Sequence, residues 1–117
     1  MEGENEFIIT TVEGMTLLIR NFANKRQWHR YHTPRNIALA LLGEVGELAE
    51  LFQWNGDEGL AQDVLCEETL DKAGQEIADV SIYLLRLCDV CHVPLGEVTM
   101  ELLNSRASGT GRNNDHD

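Results

Sequence analysis

From Ile37 to Phe52 apolar residues return every three or four positions (Ile37, Leu41, Val45, Leu48, Phe52), and Glu44 and Glu47 stand inside that repeat. A period of 3.6 predicts a helix with one face turned inward, so these acidic side chains must be given partners or lose their charge. Thr33-Pro34 marks the start, a capping hydroxyl followed by proline at the first helical position, and the helix is expected to run to about Trp54. Val12, Met15, Leu18, Ile19 and Phe22 predict an earlier helix near 11–27, capped by Thr10 or Thr11. A long helix is expected from Glu68 to Cys91, closed by Pro94, and a weaker one at about 95–106. No segment shows the Val/Ile/Thr alternation of a strand, so the expected fold class is all-α, with four helices. Asn55-Gly56-Asp57-Glu58-Gly59 and the polar residues to about Glu67 predict a loop. Residues 1–10 are expected to be a flexible lead, 11–107 the helical domain and 108–117 a disordered tail.

The length of 117 residues, 43% of them hydrophobic, suits one domain with one core. A formal net charge of −11 argues against a nucleic-acid partner, whose phosphates need clustered Lys and Arg, and points toward cations instead. No apolar run reaches the length of a membrane span, and Met1 to Thr10 carries Glu where a signal peptide would be basic and apolar, so a cytoplasmic protein is expected. Three cysteines fit reduced thiols better than a disulfide framework. Cys88-Asp89-Val90-Cys91-His92 matches a haem-attachment pattern letter for letter. Both cysteines fall on the apolar stripe of the long helix, which favours buried thiols, with His92 at the helix C-terminus facing the dipole.

On a wheel with Ile37 at zero, Glu44 falls about 20° away and within about 40° of Leu48 and Leu51, the middle of the apolar stripe. Glu47 lies about 60° to its side, beside Ala40 and Trp54. On the long helix Ile77, Val80, Leu84, Leu87, Cys88 and Cys91 form one stripe and Ile82 and Leu85 another side, with Glu76, Asp79 and Tyr83 in a line between them. Two acidic pairs, each spaced i and i+3, are expected to face one another across the bundle. Gathered carboxylates repel until some take up protons, and a divalent cation relieves both the burial and the repulsion. An all-oxygen donor set favours Mg²⁺, with Mn²⁺ as a substitute, over zinc or iron. The competing reading pairs these acids with Arg20, Arg30, Arg35, Lys72 or Arg86. Lys25, Arg26, Arg30 and Arg35, with His29 and His32, form a basic spot suited to an anionic group, to a neighbouring subunit's acidic face, or simply to solvent.

Gly43-Glu44-Val45-Gly46-Glu47-Leu48-Ala49-Glu50-Leu51-Phe52-Gln53-Trp54, preceded by Trp28 and Tyr31-His32-Thr33-Pro34-Arg35-Asn36 and followed by Glu76-Ile77-Ala78-Asp79-Val80 and Tyr83-Leu84, closely resembles the MazG-like all-α NTP pyrophosphatases. Within them the chain looks like the dCTP pyrophosphatase branch, over about residues 15–95. The resemblance implies a four-helix bundle that assembles as a homodimer or a tetramer made of two dimers. It implies Mg²⁺ on Glu44, Glu47, Glu76 and Asp79, a water activated by Glu44 or Glu47, and hydrolysis of a nucleoside triphosphate to monophosphate and pyrophosphate. Trp28 and Trp54 resemble the family's aromatic wall around the base, with Tyr83 nearby; without the resemblance, core packing is the plainer reading of both tryptophans. Two features depart from the family. The usual Lys, Asn, Lys or Arg and Tyr-Pro segment after the long helix is reduced to Asn104 and Arg106, and the first-helix histidine has no counterpart near Ile19. Asn104, with Arg35, remains a candidate phosphate contact. Rival readings are the same chemistry on a nucleoside diphosphate or phosphoribosyl-ATP, and a helical interaction module without activity.

Overall fold

The computed structural model describes residues 10–53 and 67–109. Four α-helices span Val12–Lys25 (α1), Pro34–Phe52 (α2), Glu67–Val90 (α3) and Leu95–Ala107 (α4), and no strand occurs among the described residues. A 3₁₀ turn, Trp28–Arg30, joins α1 to α2.

Local chemistry sets these limits. The Thr11 hydroxyl accepts a hydrogen bond from the Gly14 N–H at 3.0 Å and caps α1, which carries Glu13 in its first turn and Lys25 in its last. Thr33 caps α2 in the same way, accepting from the Asn36 N–H at 3.2 Å, with Pro34 at the first helical position. Gln27 (φ 54°) and His92 (φ 56°) adopt the left-handed conformation where α1 and α3 give way to turns. His92 therefore breaks the helix as well as lying near its dipole. The expected loop, Trp54, and most of the proposed lead and tail lie outside the described residues.

The principal packing is α2 on α3; α1 packs on α3 as well, and α4 touches α1. Ala23, Ile37, Ala73, Leu85 and Cys88 are buried, with one charged residue, Arg86, among them. Which helix faces turn inward differs from expectation in three places. On α2 the half-buried line is Leu41, Glu44, Leu48 and Leu51 below Ile37, while Val45 and Phe52 are exposed. On α3 Ile77, Leu84 and Cys91 face outward, and Ala73, Glu76, Val80 and Tyr83 face in. Cys88 is buried and Cys91 is not, so the pair does not share one buried stripe. On α1 the side chains of Leu18 and Phe22 are open to solvent, and Ala23 provides the close contact. Each of these helices is apolar on more than one face, and the described residues cover only one of them.

Candidate active site

Because α2 and α3 pack along the faces that carry Glu44 and Glu76, the two acidic pairs meet. One carboxylate oxygen from each of Glu44, Glu47 and Glu76 lies within 4.8 Å of the other two. Glu44 Oε2 and Glu76 Oε2 are buried with no hydrogen-bond partner. Ion pairing does not account for them. Arg20 and Arg86 both bind Asp89, at 2.6 and 3.2 Å, and Lys72 binds Glu68 at 3.3 Å. Among the described residues no cation reaches the cluster. Burial first, then the charge of Glu47, then the Glu76 carboxyl and the charge of Asp79 push the Glu44 pKa up to about 6. A carboxyl held this way is harder to ionise than an ordinary glutamate, and a cation bound beside it would favour its charged form. Orphaned acidic oxygens in a group that contains neither His nor Cys are the donor set of a hard divalent ion, and the cluster can hold one.

The acidic group opens into a cavity of about 450 Å³ that Glu44 and Asp79 line on one side. Asp79 lies one turn beyond Glu76 on α3, and Tyr83 one turn beyond Asp79. Leu18, Ile19 and Phe22 from α1, Trp28 from the 3₁₀ turn, and Ile82 and Tyr83 from α3 complete the wall. The Trp28 indole meets the Phe22 ring edge to face at 5.3 Å and lies 5.2 Å from the His32 imidazole. Arg26 covers the outer face of Phe22, its guanidinium 3.5 Å from the ring centre. The cavity thus sets aromatic and aliphatic side chains beside the carboxylates of Glu44 and Asp79.

Glu44, Glu47 and Glu76 are thus brought together, and Glu44 also shares the cavity with Asp79, Trp28 and Tyr83; Asp79 lies outside the three-carboxylate group. Arg35 is exposed in the first turn of α2 and Asn104 is exposed on α4; neither lines the cavity. Trp54 lies outside the described residues. Phe22, Leu18 and Ile19 are wall residues that periodicity assigns to a core stripe. Their signal was present in the sequence: an apolar helix face followed within a few residues by Trp28 and the basic spot. No helix among the described residues is long and apolar enough to cross a membrane.

No family model matches the chain. It is 40% identical over 95 residues to dCTP pyrophosphatase 1 of Mus musculus, which covers 81% of this chain and 56% of the mouse protein. With dCTP pyrophosphatase 1 of Homo sapiens the identity is 44% over 85 residues, covering 73% of this chain and 50% of the human protein. The chain spans about half the length of these curated relatives. Among solved structures, a pyrophosphatase from Archaeoglobus fulgidus superposes with a TM-score of 0.62 at 38% identity, covering 81% of this chain and 89% of that one. Helix order, an acidic pair on each of two packed helices and this identity over nearly the whole archaeal chain agree, and the chain belongs to the MazG-like all-α NTP pyrophosphatases.

Proposed function

We propose that the chain is a Mg²⁺-dependent pyrophosphohydrolase that cleaves a (deoxy)nucleoside triphosphate, most readily dCTP or a modified dCTP, to the monophosphate and pyrophosphate. The observation that carries this reading is the shared cavity, which sets an aromatic wall beside Asp79 and Glu44, the latter with a buried, unpartnered oxygen. The wall favours a substrate bearing a base, and the curated relatives' names point to dCTP. Glu44, Glu47, Glu76 and Asp79 hold the metal, with Mn²⁺ as a substitute. Bound there, Mg²⁺ would neutralise the triphosphate and acidify a nearby water. Trp28 and Tyr83 hold the base, leaving the α-phosphate beside the α2 glutamates. Glu47 is exposed on α2 beside the cluster, and we assign it to accept the proton of the attacking water. The water oxygen bonds to the α-phosphorus as the bond to the pyrophosphate oxygen breaks. The test is pyrophosphate and monophosphate release from a panel of dNTPs and NTPs, with Mg²⁺ and with EDTA. No turnover of any triphosphate would end the proposal and favour a diphosphate substrate or an inactive module.

The same reading includes a homodimer or homotetramer acting on the soluble nucleotide pool of the cytoplasm. Leu39, Leu42 and Val45 are exposed on one face of α2 beside Gly43 and Gly46, where an added Cβ would meet nothing within 4 Å. A second copy of the chain would cover that face. Leu42→Asp should reduce the mass measured by light scattering from a multiple of 13.2 kDa to that of one chain. A wild-type monomer at micromolar concentration would remove the assembly.

A further inference from the structure

Arg86 is 5% exposed, which is costly for a guanidinium, and the carboxylate cluster does not use it. Its Nε donates to His32 Nδ1 at 3.0 Å and its Nη1 to Asp89 Oδ2 at 3.2 Å. Asp89 is itself gripped by the Arg20 fork, with Nε to the two carboxylate oxygens at 3.1 and 3.0 Å and Nη2 to Oδ1 at 2.6 Å. The chain of contacts ends in the cavity wall, because the His32 ring lies against Trp28. A nitrogen that accepts from Arg86 carries no proton, so His32 is neutral with its hydrogen on Nε2. Burial and the Arg86 charge both push its pKa down, in keeping with that form.

Trp28 needs such support. It opens a 3₁₀ turn that has no side-chain cap, follows a residue in the left-handed conformation, and holds its shape through the Tyr31 and His32 N–H groups on its own carbonyl, at 2.8 and 2.9 Å. None of these bonds fixes the indole relative to α3. Arg86 reaches the indole's neighbour His32 from α3 itself, three residues beyond Tyr83, another residue of the cavity lining. A satisfied buried polar network of this kind fixes one geometry at a cost in desolvation.

We infer that Arg86 is a positioning residue for base recognition: through His32 it sets the Trp28 indole at the cavity wall, and so governs affinity for the base and not the bond-breaking step. The kinetic side of this inference rests on the triphosphate reading above; the structural side does not. The experiment compares wild type, Arg86→Met and His32→Asn by ¹⁵N-indole NMR of the free protein and by steady-state kinetics on dCTP with Mg²⁺. Arg86→Met leaves Asp89 paired with Arg20. His32→Asn keeps an oxygen to accept from Arg86 but removes the ring, so it separates positioning from loss of the buried bond. In both variants the Trp28 indole signal, assigned by its loss in Trp28→Phe, should shift and broaden. KM should rise about tenfold while kcat stays within about threefold. An unmoved indole signal, or an unchanged KM in a variant that merely melts earlier, overturns the inference. If the wild type splits no triphosphate, the preceding reading fails, and the indole signal alone decides whether Arg86 places Trp28.

Discussion

Replacing Glu47 with Gln should lower kcat by at least about a thousandfold while leaving the helices intact and, above pH 6, raising rather than lowering the melting temperature of the metal-free protein. Glu47 is exposed, and the amide is nearly isosteric, so folding loses nothing. Turnover loses a charged metal ligand and the proposed proton acceptor together. Asp79→Asn should behave alike. The variant also shifts a titration, because the Glu47 charge is the second cause, after burial, of the raised Glu44 pKa. In the wild type that pKa is about 6 against an ordinary 4.5, so the folded chain binds the extra proton between these values. The resulting stabilisation is fully present below pH 4.5 and is lost as pH rises through 6. Mg²⁺ competes with that proton, so the rise in melting temperature that it causes should be small at pH 5 and grow as pH passes 6. In Glu47→Gln this growth should begin at lower pH. Circular dichroism melts with and without Mg²⁺ at several pH values, run beside a pyrophosphate assay, check both halves. Full activity in the variant would sink the metal assignment.

Much of this site was legible because carboxylates inside an apolar helical repeat contradict burial unless something pairs with them. Glu44 and Glu76 declare the contradiction from spacing alone, and the caps at Thr11 and Thr33 place the helix starts to within a residue. The inward face was harder to read. Val45, Phe52, Ile77 and Leu84 belong to convincing apolar stripes and are exposed. A wheel reports that a face is apolar but not whether this chain or another covers it. Arg86 illustrates a second limit. An arginine between Leu85 and Leu87 reads as a candidate counter-ion for the acidic cluster, yet its bonds go to His32, 54 positions earlier, and to Asp89 on its own helix. Periodicity describes neighbours within a helix and holds no record of which turn of another element arrives beside it.

Ile37→Ala should be the most destabilising single truncation in the α2–α3 contact. Ile37 is 1% exposed and the largest fully buried side chain among the described residues, and its removal leaves a cavity where α2 begins to pack. Such truncations cost about 2–5 kcal/mol, a large share of a small domain's stability. For about 100 residues that lowers the melting temperature by more than about 10 °C. Two turns along the same face, Glu44 meets Glu76 with no counter-charge, so the metal-free contact is held by packing against electrostatic repulsion. A cation bridging the two helices would reverse the sign of the second contribution without touching the first. At a hundredfold excess over its dissociation constant Mg²⁺ would return about 2.7 kcal/mol. Sites about 10 Å apart along a helix usually contribute additively, so Mg²⁺ should raise the melting temperature of Ile37→Ala as much as that of the wild type. Paired melts measure this directly. A smaller metal response in the variant would mean that packing at Ile37 also aims Glu44, and a melting temperature within about 2 °C of the wild type would show that α2 is anchored elsewhere.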